Sequence, residues 1–180
     1  AVLWAVDEAD PDRAVEGWLD RHRHKVSDEW HGNVRLAFWA APRHPLLLSP
    51  VAPVEFGHAQ LRLVGLRYAP QALRPGDTIT VQASWQTTAL APSTDYHVFL
   101  HLVDPAGRIV AQRDMAPVGG SARTSTWSPT SPAVPGTSVD GPGRPPSTAA
   151  RHLDLLGLRV PPEATPGRHD LLLGLYDPST

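Results

Sequence analysis

At four places in this chain, apolar side chains recur at every second position. That period marks a strand with one face buried and one face wet. Ile79, Val81, Ala83 and Trp85 alternate with Thr78, Thr80, Gln82 and Ser84. Tyr96, Val98, Leu100 and Leu102 repeat the pattern, as do His169, Leu171, Leu173 and Leu175 near the end and Val34, Leu36 and Phe38 near the start. Turn residues separate these runs. Leu73-Arg74-Pro75-Gly76-Asp77 places Pro and Gly at the two central positions of a turn. Asp104-Pro105-Ala106-Gly107 leads as a hairpin into Ile109, Ala111 and Gln112, and Thr165-Pro166-Gly167 is a third turn. Leu61 and Leu63 are out of phase with Leu66 and Tyr68, and a bulge at Gly65 restores their common face. Leu156 to Val160 reads as a short strand. Short strands punctuated in this way predict a mainly β fold: an immunoglobulin-like antiparallel β-sandwich over residues 54–180.

The first 41 residues read differently. Ala1 to Val6 is a short apolar run, and Asp10-Pro11 opens a helix by capping its free amides. Ala14, Val15, Trp18, Leu19 and His22 then recur at helical spacing, as one apolar stripe. With the strand at 33–39, residues 1–41 form a partial α/β segment. Residues 42–53 carry Pro42, Pro45, Pro50 and Pro53, which makes them an extended linker and the preferred domain boundary. Residues 128–148 are rich in Pro and Gly without periodicity, and are expected to be a disordered loop.

The totals narrow the function. Among 180 residues, 16 Lys and Arg nearly balance 18 Asp and Glu, and no basic stretch tracks a phosphate backbone, so no nucleic-acid partner is expected. No cysteine is present, which removes disulfides and thiolate metal sites. No apolar run approaches the roughly 20 residues of a membrane span. The abrupt strand at Ala1 and the unanswered turn at Tyr176 to Thr180 predict a fragment of a longer polypeptide.

Several motifs occur in a fixed order. Lys25-Val26-Ser27-Asp28 is followed by Trp30-His31-Gly32-Asn33-Val34-Arg35-Leu36. Val81-Gln82-Ala83-Ser84-Trp85, Tyr96-His97-Val98-Phe99-Leu100-His101-Leu102 and Asp104-Pro105-Ala106-Gly107-Arg108 come next. Ser125-Thr126-Trp127 and Gly174-Leu175-Tyr176-Asp177-Pro178 complete the set. Together they resemble the soluble C-terminal region of bacterial membrane glycosyltransferases related to the dolichyl-phosphate-mannose protein mannosyltransferases, glycosyltransferase family 39. The resemblance implies a non-catalytic accessory domain on the extracytoplasmic side of the bacterial cell membrane. Its partner would be the membrane-embedded part of the same polypeptide, which uses a polyprenyl-phosphate sugar donor. The accessory domain would stabilise that enzyme or assist binding of acceptor or glycan. The family's catalytic acidic residue lies in a membrane-adjacent loop that nothing here matches, so the resemblance carries catalysis onto no residue. The residues alone leave two other readings open: a free-standing carbohydrate-binding or adhesion module, and a structural spacer.

No other chemistry is expected. His97 and His101 lie four apart on a strand, about 13 Å from each other, too far to share a metal ion. No Gly-x-Ser-x-Gly elbow and no phosphate-binding glycine loop occurs, so no catalytic residue and no cofactor is assigned. Asp28 and Glu29 are adjacent on an extended stretch and point to opposite faces. The tryptophans offer the one binding signal, because the C–H faces of sugars stack on aromatic rings. Trp127, beside Arg123 and Thr126, leads the candidates, followed by Trp30 with Asn33 and Arg35. Packing in the core is the alternative for Trp127.

Overall fold

The computed structural model describes residues 1–4, 8, 10–69, 72–88, 91–128 and 150–180. Nearly all of the proline-rich stretch 128–148 lies outside these residues, as do Val6 and Asp7. The described residues include eleven strands and the α-helix α1, with short 3-10 turns at Val118–Gly120 and Thr124–Thr126: β1 (Val2–Trp4), α1 (Ala14–His22), β2 (His24–His31), β3 (Val34–Ala40), β4 (Leu47–Ser49), β5 (Val54–Phe56), β6 (Leu61–Tyr68), β7 (Thr78–Thr87), β8 (His97–Val103), β9 (Ile109–Met115), β10 (Arg151–Arg159) and β11 (Asp170–Tyr176). They form two sheets. The larger has eight strands in the order β1-β3-β2-β10-β7-β6-β4, with β5 also on β6; the smaller has the order β11-β8-β9.

The alternating runs set where the core sits. Ile79, Val81, Ala83 and Trp85 of β7 and Leu156 and Leu158 of β10 meet Val98, Leu100 and Leu102 of β8, so the two sheets share one apolar core. The turn chemistry behaves as its residues require. Asp77 donates its amide to Arg74 O across Pro75-Gly76, with Gly76 at φ 88. In the β8–β9 hairpin, Asp104 Oδ1 accepts the amides of Ala106 and Arg108, both at 2.9 Å. The ladder between β6 and β7 shifts register between Leu63 and Gly65, which puts Leu61, Leu63 and Leu66 into one packing layer.

The α/β segment joins the β unit within one sheet. β2 lies parallel to β10, with Leu156 opposite Lys25. Gly157 permits this approach: a Cβ there would lie 2.8 Å from Val26 Cγ2 and 3.0 Å from Lys25 O. Within the stretch read as a linker, Leu47–Ser49 pairs with β6 as β4. Strand β10 also runs well beyond Leu156 to Val160. It begins at Arg151 and pairs with β7 over its whole length, with polar His152 and Asp154 interrupting the apolar pattern.

Helix α1 corrects the expected apolar stripe. It starts at Ala14 and not at Pro11, with Arg13 at its N-cap, and Asp10 reaches forward from the preceding turn to accept the amides of Ala14 and Val15 at 2.8 and 3.0 Å. The buried residues of the helix are Glu16 and Asp20, while Val15 and Trp18 face outward. The reason is electrostatic. Lys25, the only lysine of the chain, is buried under the helix and holds its two carboxylates inward. Trp18 instead stacks on His22 at 4.5 Å, with Arg23 over its ring.

Candidate functional site

The seam between α1, β2, β3, β9 and the 118–121 turn encloses a cleft of about 790 Å³. Its floor is an ion network. Lys25 Nζ is 1% exposed and donates to Glu16 Oε1 and to Gly119 O, each at 2.9 Å. Asp28 Oδ2 lies 3.2 Å and Asp20 Oδ1 3.5 Å from the same nitrogen. Arg35 donates from Nε and Nη2 to both oxygens of Asp28, and from Nη1 to Glu16 Oε2 at 2.9 Å. Trp39 Nε1 donates to Asp20 Oδ1 at 2.8 Å.

These contacts divide the carboxylates into two kinds. Burial alone would raise Glu16 and Asp28, but the hydrogen bonds and charges of Lys25 and Arg35 outweigh it and hold both below the ordinary carboxylate range. For Asp20 burial wins over Trp39 and Lys25, and its carboxyl is raised. Glu16 and Asp28 therefore stay ionised at neutral pH as fixed counter-charges, while Arg35 is held protonated chiefly by its hydrogen bonds to Asp28.

A second buried group anchors the far wall. Asp154 Oδ1 accepts the amide of Val118 at 3.0 Å and so holds the turn whose Gly119 carbonyl meets Lys25. Gly119 sits at φ 66, and a Cβ there would lie 2.4 Å from Asp20 Oδ1, so the turn and the helix close only over a glycine. Asp154 is wholly buried, which raises its pKa to about 7 against the opposing pull of Val118, Arg113, Gly119 and Trp85.

The sign of this shift sets a prediction. Between about pH 4 and pH 7 the folded state keeps a proton that the unfolded chain has lost, so this group's contribution falls as pH rises through that window. His24 and His152 are lowered to about 4 by burial, and their contribution rises with pH over part of the same window. The readout is therefore the difference between wild type and Asp154→Asn. Urea denaturation should find the substitution more favourable at pH 7.5 than at pH 4.5, by on the order of 2–4 kcal/mol. Equal differences at both pH values would mean that Asp154 titrates normally in the fold.

The four sequence-predicted binding residues separate. Trp127 is 4% exposed and belongs to the core, stacked on His152 at 4.1 Å with an interplanar angle of 3°. Its backbone is tied to Thr124, whose carbonyl accepts the Trp127 amide at 3.0 Å and whose hydroxyl accepts the amide of Tyr96 at 2.8 Å and donates to Thr94 O at 2.7 Å. A ring so enclosed offers no face to a sugar. Trp30 and Arg35 do come together as a cross-strand pair, with the guanidinium 5.8 Å from the indole centroid. Both line the cleft, and Trp30 is 64% exposed. Asn33 lies in the exposed β2–β3 turn and does not line the cleft. His101 Nε2 lies 2.8 Å from Asp114 Oδ1. Among the described residues no three His, Asp or Glu side chains gather as a metal site.

Sequence reasoning missed Glu16, Asp20, Lys25 and Arg113 as parts of one site. The available signal was a lone lysine beside a helix whose two carboxylates stand four residues apart. No protein family, curated protein or solved structure matches this chain.

Proposed function

We propose that this chain is a non-catalytic accessory region of a membrane-bound glycosyltransferase that uses a polyprenyl-phosphate sugar donor, as its ordered motifs suggest. In this reading the two sheets form an immunoglobulin-like sandwich on the extracytoplasmic side of the membrane. The region stabilises the enzyme and assists binding of the acceptor or glycan. The observation that carries the reading is the seam: a helix–strand piece is locked to a β unit by a buried lysine, and the lock leaves an open polar cleft with an exposed indole at its rim. A rigid two-part unit with such a cleft suits holding a chain in place beside a separate catalytic centre. Glu16 and Asp28 are tied to Lys25 and Arg35 as counter-ions, which suits a binding surface better than acid–base catalysis.

The coding DNA upstream of Ala1 tests this. Several in-frame apolar segments of about 20 residues are expected. A leader with no further spans would overturn the membrane-enzyme reading and leave an exported carbohydrate-binding module. Spans upstream, with normal transfer to every acceptor after deletion of residues 54–180, would reduce the region to a structural spacer.

A further inference from the structure

We infer that the cleft is a binding site for a neutral oligosaccharide, held through hydroxyls on its charged wall and through a sugar face on Trp30. This deepens the accessory-region reading and rests on it for the role of the bound glycan.

Charge balance selects the ligand class. The cationic groups on the wall are Arg13, Arg21, Lys25, Arg35 and Arg113. The anionic groups are Asp12, Glu16, Asp20, Asp28 and Asp114, so five face five. A phosphate site requires an excess of cations and a cation site an excess of carboxylates. A balanced wall rich in both donors and acceptors matches a neutral molecule that carries many hydroxyls.

Two unsatisfied atoms indicate where that molecule bonds. Asp20 Oδ2 and Arg113 Nε are buried on the wall without a hydrogen-bond partner among the described residues. Asp20 is enclosed to 1% side-chain exposure, and its other oxygen already serves Trp39. Arg113 is fixed by donating from Nη1 to Val26 O at 2.8 Å. One hydroxyl can donate to Asp20 Oδ2 while another accepts from Arg113 Nε, so the ligand satisfies groups that otherwise stay unpaired. Gly17 lets Arg21 fold across the helix, 3.2 Å from where a Cβ would stand, and beyond Gly120 lies open space. The volume falls within the range of small-molecule clefts. At the rim, Trp30 is placed to stack on the C–H face of a sugar ring.

The test is a titration of the ¹⁵N-labelled chain with gluco-, manno- and galacto-configured tri- and tetrasaccharides, with mannose 6-phosphate as the charged probe. Saturable shifts of the Trp30 indole and Arg113 Nε signals are expected with at least one neutral oligosaccharide at millimolar concentration. Trp30→Ala, at an exposed position, should weaken that binding about tenfold. Asp20→Asn, checked for folding by its spectrum, should weaken it as well. Absence of shifts with every neutral oligosaccharide, unchanged affinity in Trp30→Ala, or tighter binding of the phosphorylated sugar would each overturn the inference. A silent cleft beside upstream membrane spans removes the glycan site and leaves the accessory reading. A saccharide-binding cleft without upstream spans does the reverse.

Discussion

Lys25→Met should cost this protein about 3–5 kcal/mol, the scale for removing one partner of a buried ion network. Among the described residues, Lys25 is the only cation paired with both Glu16 and Asp20, and all three side chains are buried. Without it, Glu16 keeps Arg35, while Asp20 keeps the indole of Trp39 and the more distant charge of Arg113. A buried carboxylate on the floor of the cleft would lose its Lys25 counter-charge, and Gly119 O would lose the donor that ties the turn to the sheet. Urea denaturation at pH 7 measures the loss, and part of it should return at acid pH as Asp20 and Glu16 take up protons. Because Lys25 is the sole lysine, amine labelling gives an independent readout. Apart from the terminal amine, the native chain should resist modification and become reactive only when the seam opens. A loss below about 1 kcal/mol, in the range of surface pairs, would mean that water reaches the network freely.

Trp85→Ala should be comparably severe, about 3–5 kcal/mol, for an unrelated reason. The ring is fully buried near the C-terminal end of β7, between Leu63 of β6 and His152 of β10 in the ladder. Phe56 meets it edge-on at 5.7 Å. Both sheets contribute to the surrounding core, so neither can close over the void without pulling from the other. The indole also acts on Asp154, and its removal takes away one of the influences that keep that carboxyl from rising further. Chemical denaturation followed by far-UV dichroism measures the effect, and Trp85→Phe should retain much of the stability. A cost for the alanine variant below about 1.5 kcal/mol would show that the core refills, and would contradict the close packing described here.

Different parts of the molecule were legible to different degrees. The alternating runs of β7, β8 and β11, the turn at Pro75-Gly76, the hairpin at Asp104 and the shift near Gly65 follow from local rules. Side-chain period and turn conformation are properties of a few consecutive residues, and the fold keeps them. Strand β10 was only half legible, because His152 and Asp154 break the apolar pattern. Their burial is possible because distant groups receive them: the Trp127 ring stacks on the histidine, and the Val118 amide bonds to the carboxylate.

The candidate site was the least legible. Trp127 and Trp30 look alike in sequence, each a tryptophan in a polar neighbourhood. The first is buried in the core against His152, while the β2–β3 hairpin leaves the second at the rim of the cleft. The helix shows most plainly what local patterns omit. Its apolar stripe of Val15 and Trp18 predicts the buried face, yet Glu16 and Asp20 are the residues inside. A single buried cation with two carboxylates opposite outweighs two apolar side chains, and that cation comes from a strand on the other side of the seam. The sequence by itself determined the alternating strands β7, β8 and β11, their turns and the mainly β character, since these depend on neighbours along the chain. Only the tertiary structure decided the face of the helix, the burial of Trp127 and the cleft, since ion pairing and burial depend on residues brought together across as many as 94 positions of sequence.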